Sequence, residues 1–174
     1  EANTSAEKLY DVINRLADDI QQNQYDRQQG KLTRIPTGFM YLDKFTYSGF
    51  NKGQLVILAA RPSVGKTAVM LQMAKEAVNS GFPATIFSLE MTNTEIAQRL
   101  LFSTGMITPT QVANGEIMWN KFEAAVGKFA SASLYLIDST NTIDEIVSRI
   151  LLYCKQGKCS IAFIDYLGLI SHSN

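Results

Sequence analysis

Histidine, cysteine and proline are scarce in this chain, and net charge is absent. Its 174 residues include one histidine, His172, and two cysteines, Cys154 and Cys159. A structural zinc site takes four ligands, and this pool supplies no workable set. The two thiols are expected to be reduced, on or near a buried helix and strand. His172 is expected to be an exposed residue near the end rather than a ligand. Lys and Arg number 16, as do Asp and Glu, for a formal net charge of +0. A domain that works mainly by coating nucleic acid is usually basic, so neutrality argues against a large DNA-binding face within these residues, although a few well-placed loops remain compatible with it. No apolar run approaches the roughly 20 residues of a membrane span, and no signal peptide is recognisable. These absences lead to the expectation of a cytoplasmic protein that makes no use of a membrane.

The length suits one compact domain with a substantial core, or a domain with an appendage. The chain opens on Glu1 rather than methionine and closes at Asn174, just past a strong strand. We therefore expect a segment of a longer protein, truncated on its C-terminal side.

Residues 4 to about 24 read as a helix. Thr4 and Glu7 have capping-box spacing, and Leu9, Ile13, Leu16 and Ile20 form one apolar stripe among polar neighbours. Such a stripe must be buried, either on its own domain or on a neighbouring subunit. The polar stretch Gln21 to Lys31 reads as a hinge, so the expected division is 1–32 for helix and hinge and 33–174 for the main domain. Beyond Ile35, strands and helices alternate. Leu55–Ala59 is an apolar run expected to be a strand buried on both faces. Further strands are expected at Ala84–Leu89, Leu134–Ile137 and Ser160–Ile164. Helices are expected at Thr67–Val78, Thr94–Ser103, Pro109–Gly115, Trp119–Phe129 and Ile143–Tyr153. This alternation predicts an α/β fold, a mostly parallel sheet with helices on both faces.

The chemistry is concentrated in ARPSVGKT, residues 60–67, directly after the first of these strands. Gly65 permits the tight turn that aims successive amides at phosphate oxygens. Lys66 can reach the β- and γ-phosphates, and the Thr67 hydroxyl can ligate Mg²⁺. The helix that follows directs its N-terminal dipole at the same anion. Arg61, Pro62, Ser63, Val64, Gly65, Lys66, Thr67 and Ala68 are the candidate nucleotide-binding residues, with ATP and Mg²⁺ as ligands. Position 60 is Ala, where the general P-loop pattern has Gly.

A P-loop needs an acid on a neighbouring strand to orient the metal, and Asp165, closing IAFID, supplies it. Asp165 is followed by Tyr166, so a catalytic base must come from elsewhere. Glu90 ends ATIFSLE at the carboxyl end of a parallel strand, where ligands bind in such sheets. Glu90 and Lys66 are the candidate catalytic residues, although Glu90 also reads as an acid complementing a helix dipole. Arg99 reads equally as a helix-surface charge or a phosphate sensor. Phe122, Val126 and Phe129, at helical spacing, read as core rather than a base-stacking platform.

Together these motifs resemble the RecA-like ATPase domain of the DnaB-type replicative helicases. PTGFMYLDKFTYSGFNKGQLVILAARPSVGKT is similar to that family's entry segment and P-loop, including Ala60. FSLEM at 87–91 matches its glutamate motif, and TIDEIVSRI and IDYLGLI follow in the family's order. The likeness runs from about Thr33 to Ile170 and sets the chain apart from RecA recombinases. It implies a hexameric motor that couples ATP hydrolysis to movement on single-stranded DNA, with primase and a helicase loader as further partners. The opening helix resembles the family's linker helix, which docks on the adjacent subunit. Lys66 and Thr67 would hold the phosphates and Mg²⁺, Asp165 would orient the metal, and Glu90 would polarise the attacking water. The family usually has Gln where this chain has Gly168. The family's later elements, its sensor, arginine finger and DNA-binding loops, lie beyond Asn174, so these residues alone are expected to hydrolyse ATP poorly and to bind single-stranded DNA weakly. A different class of function, a nucleotide-binding assembly or loader-like module that uses ATP for oligomerisation, remains the alternative.

Overall fold

A computed structural model of the chain describes residues 6–61 and 63–171, apart from the side chain of Arg27. Thr4, Pro62 and His172 lie outside the described residues, and with them the Thr4 capping box. The chain divides into two compact units, Glu1–Arg34 and Ile35–Asn174.

The first unit is built on α1 (Leu9–Gln28). Its Leu9, Ile13, Leu16 and Ile20 stripe remains at least half exposed in that unit. The stretch expected to be a hinge is helical as far as Gln28, because Gln and Arg are good helix formers and Gln22 Nε2 donates to Asp26 Oδ1 one turn on, at 3.1 Å. The chain leaves the helix only at Gly30, whose φ of +73° glycine adopts without a steric penalty.

The second unit begins with a clasp. Ile35 and Phe50 exchange backbone hydrogen bonds of 2.9 and 2.8 Å around the short helix α2 (Met40–Phe45). Inside it the Thr37 amide donates to Asp43 Oδ1 at 2.8 Å. Gly49 makes the closure possible, since a Cβ there would lie 2.1 Å from the Ile35 carbonyl oxygen at a φ of +119°.

Behind the clasp stands a parallel sheet in the order β2-β1-β3, formed by β1 (Ala84–Ser88), β2 (Leu134–Ile137) and β3 (Ile161–Asp165). Helix α3 (Lys66–Asn79) precedes β1. Helices α4 (Asn93–Phe102), α5 (Pro109–Ala113) and α6 (Trp119–Gly127) lead to β2, and α7 (Ile143–Lys155) joins β2 to β3. Successive side chains of a strand point to opposite faces, and the central strand divides the core accordingly. Ile86 packs with Met70, Leu71 and Ala74 of α3 and with Ile96 and Leu100 of α4. Phe87 packs on the other face with Ile137 and Ile146. Ile86, Phe87, Ile96 and Ile146 are fully buried, each side chain contributing about 1.5–3 kcal/mol of transfer free energy. Helices therefore cover both faces, as the alternation of elements predicts.

Helix starts are set locally. Thr92 and Thr108 each close a capping box, with Glu95 and Gln111 respectively, and Thr142 caps α7.

Three expectations need correction. Leu55–Ala59 is not a strand, and its side chains are exposed, Leu55 by 90%. An apolar run signals burial, but a strand exists only where a neighbour takes its amides. The three described strands pair with one another and none pairs with this run. In α6 only Ala125 is buried. Phe122, Val126 and Phe129 line an apolar cavity of about 580 Å³ shared with α4 and β2; Phe129 packs against the core cluster as expected, whereas Val126 is 46% exposed. Cys159 is buried as expected, whereas Cys154 is exposed on α7.

Candidate functional site

Arg61 and residues 63–65 belong to the loop that leads into α3. The Val64 amide donates to the Arg61 carbonyl at 3.4 Å, and Ser63 takes a φ of +64°. Gly65 stands at the N-cap in a left-handed conformation (φ 103°, ψ 23°) and offers no side-chain cap. Among the described residues no side chain caps the first turn of α3, so its amides are open to a ligand, and the helix dipole adds attraction for an anion. Arg61, Ser63, Val64 and Ala68 are exposed, while Gly65, Lys66 and Thr67 are half-buried.

Thr67 and Asp165 meet across 98 residues, the Thr67 hydroxyl donating to Asp165 Oδ2 at 2.7 Å. The second carboxylate oxygen lies 3.0 Å from the Lys66 ammonium. The Lys66 ammonium in turn lies 4.2 Å from the centre of the Tyr166 ring. Asp165 closes β3, only 3% exposed, and its register partner is Ser88 at the end of β1. The Leu89 amide donates to the Asp165 carbonyl at 2.8 Å, so the chain runs beside the acid for one residue past β1 before reaching Glu90. Glu90 is exposed at the carboxyl end of the sheet. The structure therefore brings together Lys66, Thr67 and Asp165 and puts Glu90 on the neighbouring strand end.

Asp165 Oδ1 is buried and accepts no hydrogen bond of good geometry, although it lies within ion-pair distance of Lys66. The ion pair governs here, because the ammonium neutralises the charge even where its N–H vectors do not align. An orphaned carboxylate oxygen beside a threonine hydroxyl is a hard-oxygen donor set that fits Mg²⁺, which is commonly held by one or two protein oxygens with water and phosphate completing the shell. Among the described residues no group of three or more His, Cys, Asp and Glu offers an all-protein cage.

Arg99 is exposed on α4, and its charge acts on Glu95 one turn earlier. Sequence reasoning missed Asp138, which takes both the amide and the side-chain amide of Asn93, at 2.8 and 3.0 Å, and so ties the start of α4 to the end of β2. It also missed the ring of Tyr166, noted only for occupying the place after the acid.

Comparison with known proteins gives a consistent result. The model of the DnaB-like helicase C-terminal domain matches residues 34–174. Replicative DNA helicase DnaC of Bacillus subtilis (strain 168) is 35% identical over 177 residues, covering 98% of this chain and 38% of that protein. Replicative DNA helicase DnaB of Geobacillus stearothermophilus is 37% identical over 173 residues, covering 95% of this chain and 37% of its own length. The chain thus spans a little over a third of the length of these curated relatives. Among solved structures, one ATPase domain superposes with a TM-score of 0.80 at 28% identity, over 96% of this chain and 60% of that one. A DnaB-like replicative helicase, studied with its interactions with primase, also gives 0.80 at 27% identity, over 100% of this chain and 42% of that one.

Proposed function

The chain belongs to the DnaB-like helicase C-terminal domain family, and from that premise we propose that it is the nucleotide-hydrolysing part of a ring-shaped replicative DNA helicase. The observation that carries this reading is the meeting of Lys66, Thr67 and Asp165 at the uncapped start of α3. ATP suits that start: Ser63, Val64, Gly65 and the first-turn amides would meet the phosphates, and Lys66 would pair with the β- and γ-oxygens. Thr67 and Asp165 would hold Mg²⁺ there, and the ion would supply charge neutralisation for the phosphoryl group. Glu90, exposed at the neighbouring strand end, positions and polarises the attacking water. No helix among the described residues is long and apolar enough to cross a membrane, and we infer a cytoplasmic protein.

The exposed stripe of α1 suits docking on a neighbouring subunit, which supports a homo-oligomer, a hexamer by family likeness. The relative solved with its interactions with primase suggests primase as a partner here, and a helicase loader is a further one. Single-stranded DNA is the track, gripped mainly by elements outside residues 1–174, in keeping with the formal net charge of +0.

The test is ATP hydrolysis by the full-length protein, with and without single-stranded DNA, against Lys66→Ala and Glu90→Gln. DNA-stimulated turnover lost in both, with nucleotide still bound by Glu90→Gln, supports the motor. Binding without DNA-stimulated turnover would sink it and favour an assembly module.

A further inference from the structure

Lys66 is held from two sides. Asp165 takes its ammonium at 3.0 Å, and the face of Tyr166 lies 4.2 Å from it. Both distances are short enough to matter: an ammonium within about 6 Å of a ring centre is attracted by the ring quadrupole. The ring's own place depends on the absence of a side chain two residues on. A Cβ at Gly168 would come within 2.8 Å of Tyr166 Cε2 and 3.3 Å of Cδ2, closer than the two can stand. No left-handed backbone explains the glycine, since Gly168 is not among the residues of positive φ. What it provides here is space for the ring.

We propose that Tyr166 is a positioning residue for the P-loop lysine, and that Gly168 is the feature of this chain that allows it. The ring restrains the Lys66 ammonium between itself and Asp165, so that less side-chain freedom is lost when phosphate is engaged. The tyrosine hydroxyl has no part in this, only the aromatic face. This inference rests on the nucleotide-binding reading above and adds a second support for Lys66 to it.

The experiment compares Tyr166→Leu, Tyr166→Phe, Gly168→Ala and Lys66→Ala in the full chain, with the fluorescent nucleotide mant-ADP and Mg²⁺ as probe. A parallel NMR measurement follows the Lys66 ε-methylene protons, which a ring face shifts upfield. Tyr166→Leu should weaken binding about two- to fivefold, the effect of one partly exposed cation–π contact, and abolish the upfield shift. Tyr166→Phe should restore both. Gly168→Ala, by displacing the ring, should match Tyr166→Leu, and the double variant should be no worse than either single one. In the full-length enzyme the change should fall on KM for ATP and leave kcat within about twofold, as expected for loss of uniform binding. Lys66-dependent binding that Tyr166→Leu leaves unchanged would overturn the inference while sparing the nucleotide site. An equal loss in Tyr166→Phe and Tyr166→Leu would also overturn it, by showing a general structural effect. Absence of Lys66-dependent binding in the parent chain would overturn both readings.

Discussion

The Thr67 hydroxyl donates to Asp165 Oδ2 at 2.7 Å, and this one hydrogen bond joins the end of β3 to the first turn of α3. It also fixes which carboxylate oxygen is left for Lys66. Asp165→Asn keeps the size of the side chain but removes the charge that faces the Lys66 ammonium. We expect folding to be retained, with ATP hydrolysis by the full-length protein down at least a hundredfold, roughly the scale of losing one preorganised group in such a site. Steady-state hydrolysis across a Mg²⁺ titration, with circular dichroism as the folding control, checks this. Turnover near the parent value would remove Asp165 from the site.

At the start of α4, the Thr92 backbone amide and hydroxyl both donate to Glu95, which holds that carboxyl below the usual carboxylate range, with a smaller contribution from Arg99. The native form therefore favours ionised Glu95 more than the unfolded chain does. This stabilisation is present above the unfolded value of 4.5 and is lost as pH falls through the lower folded value. Thermal melts between about pH 6 and about pH 3 should lose this acid-dependent component in Glu95→Gln. Thr92→Ala should cost about 1 kcal/mol at neutral pH, a typical N-cap loss. Parallel melting curves for Glu95→Gln and the parent would refute the assignment.

The two cysteines should behave differently. Burial, the main cause, pushes the Cys159 thiol up from its ordinary 9.0, whereas Cys154 is exposed on α7. A raised thiol value stabilises the fold fully below the unfolded value, and that contribution fades as pH rises through the folded one. In native protein at about pH 8 a thiol-specific reagent should label Cys154 promptly and Cys159 only after denaturant is added, as peptide mapping would show. Equal labelling rates would contradict the burial.

Ile86 is the fully buried side chain through which the central strand meets α3 and α4. Ile86→Ala should cost about 2–5 kcal/mol in denaturant melts. Val64→Ala, at a P-loop position that is 71% exposed, should stay within roughly 0.5 kcal/mol. Comparable losses at the two positions would contradict the described packing.

Much of this was legible in the residues. The helices expected at Thr94–Ser103 and Pro109–Gly115 start within a residue of α4 and α5, and β1, β2 and β3 lie within a residue or so of the apolar runs that announce them. That Lys66, Thr67 and Asp165 come together was expected, because a phosphate-binding loop calls for an acid on a neighbouring strand. Leu55–Ala59 was misread because pairing is a property of two segments and hydropathy of one. The contact of Tyr166 with Lys66 was hidden for a related reason. Nothing in the order of residues says which way a ring beside Asp165 will turn, and the clue, a glycine two positions later, reads like any other glycine until its neighbour is in view.

The 98-residue separation of Thr67 and Asp165 also has a meaning in time. At about 5–20 residues per second, a ribosome takes roughly 5–20 s to pass from one to the other. During that interval the phosphate loop and its lysine have been made without the acid that faces them. The nascent chain therefore cannot bring Thr67 and Asp165 together before β3 has emerged and paired with β1, and chains interrupted earlier would carry the loop without its acid.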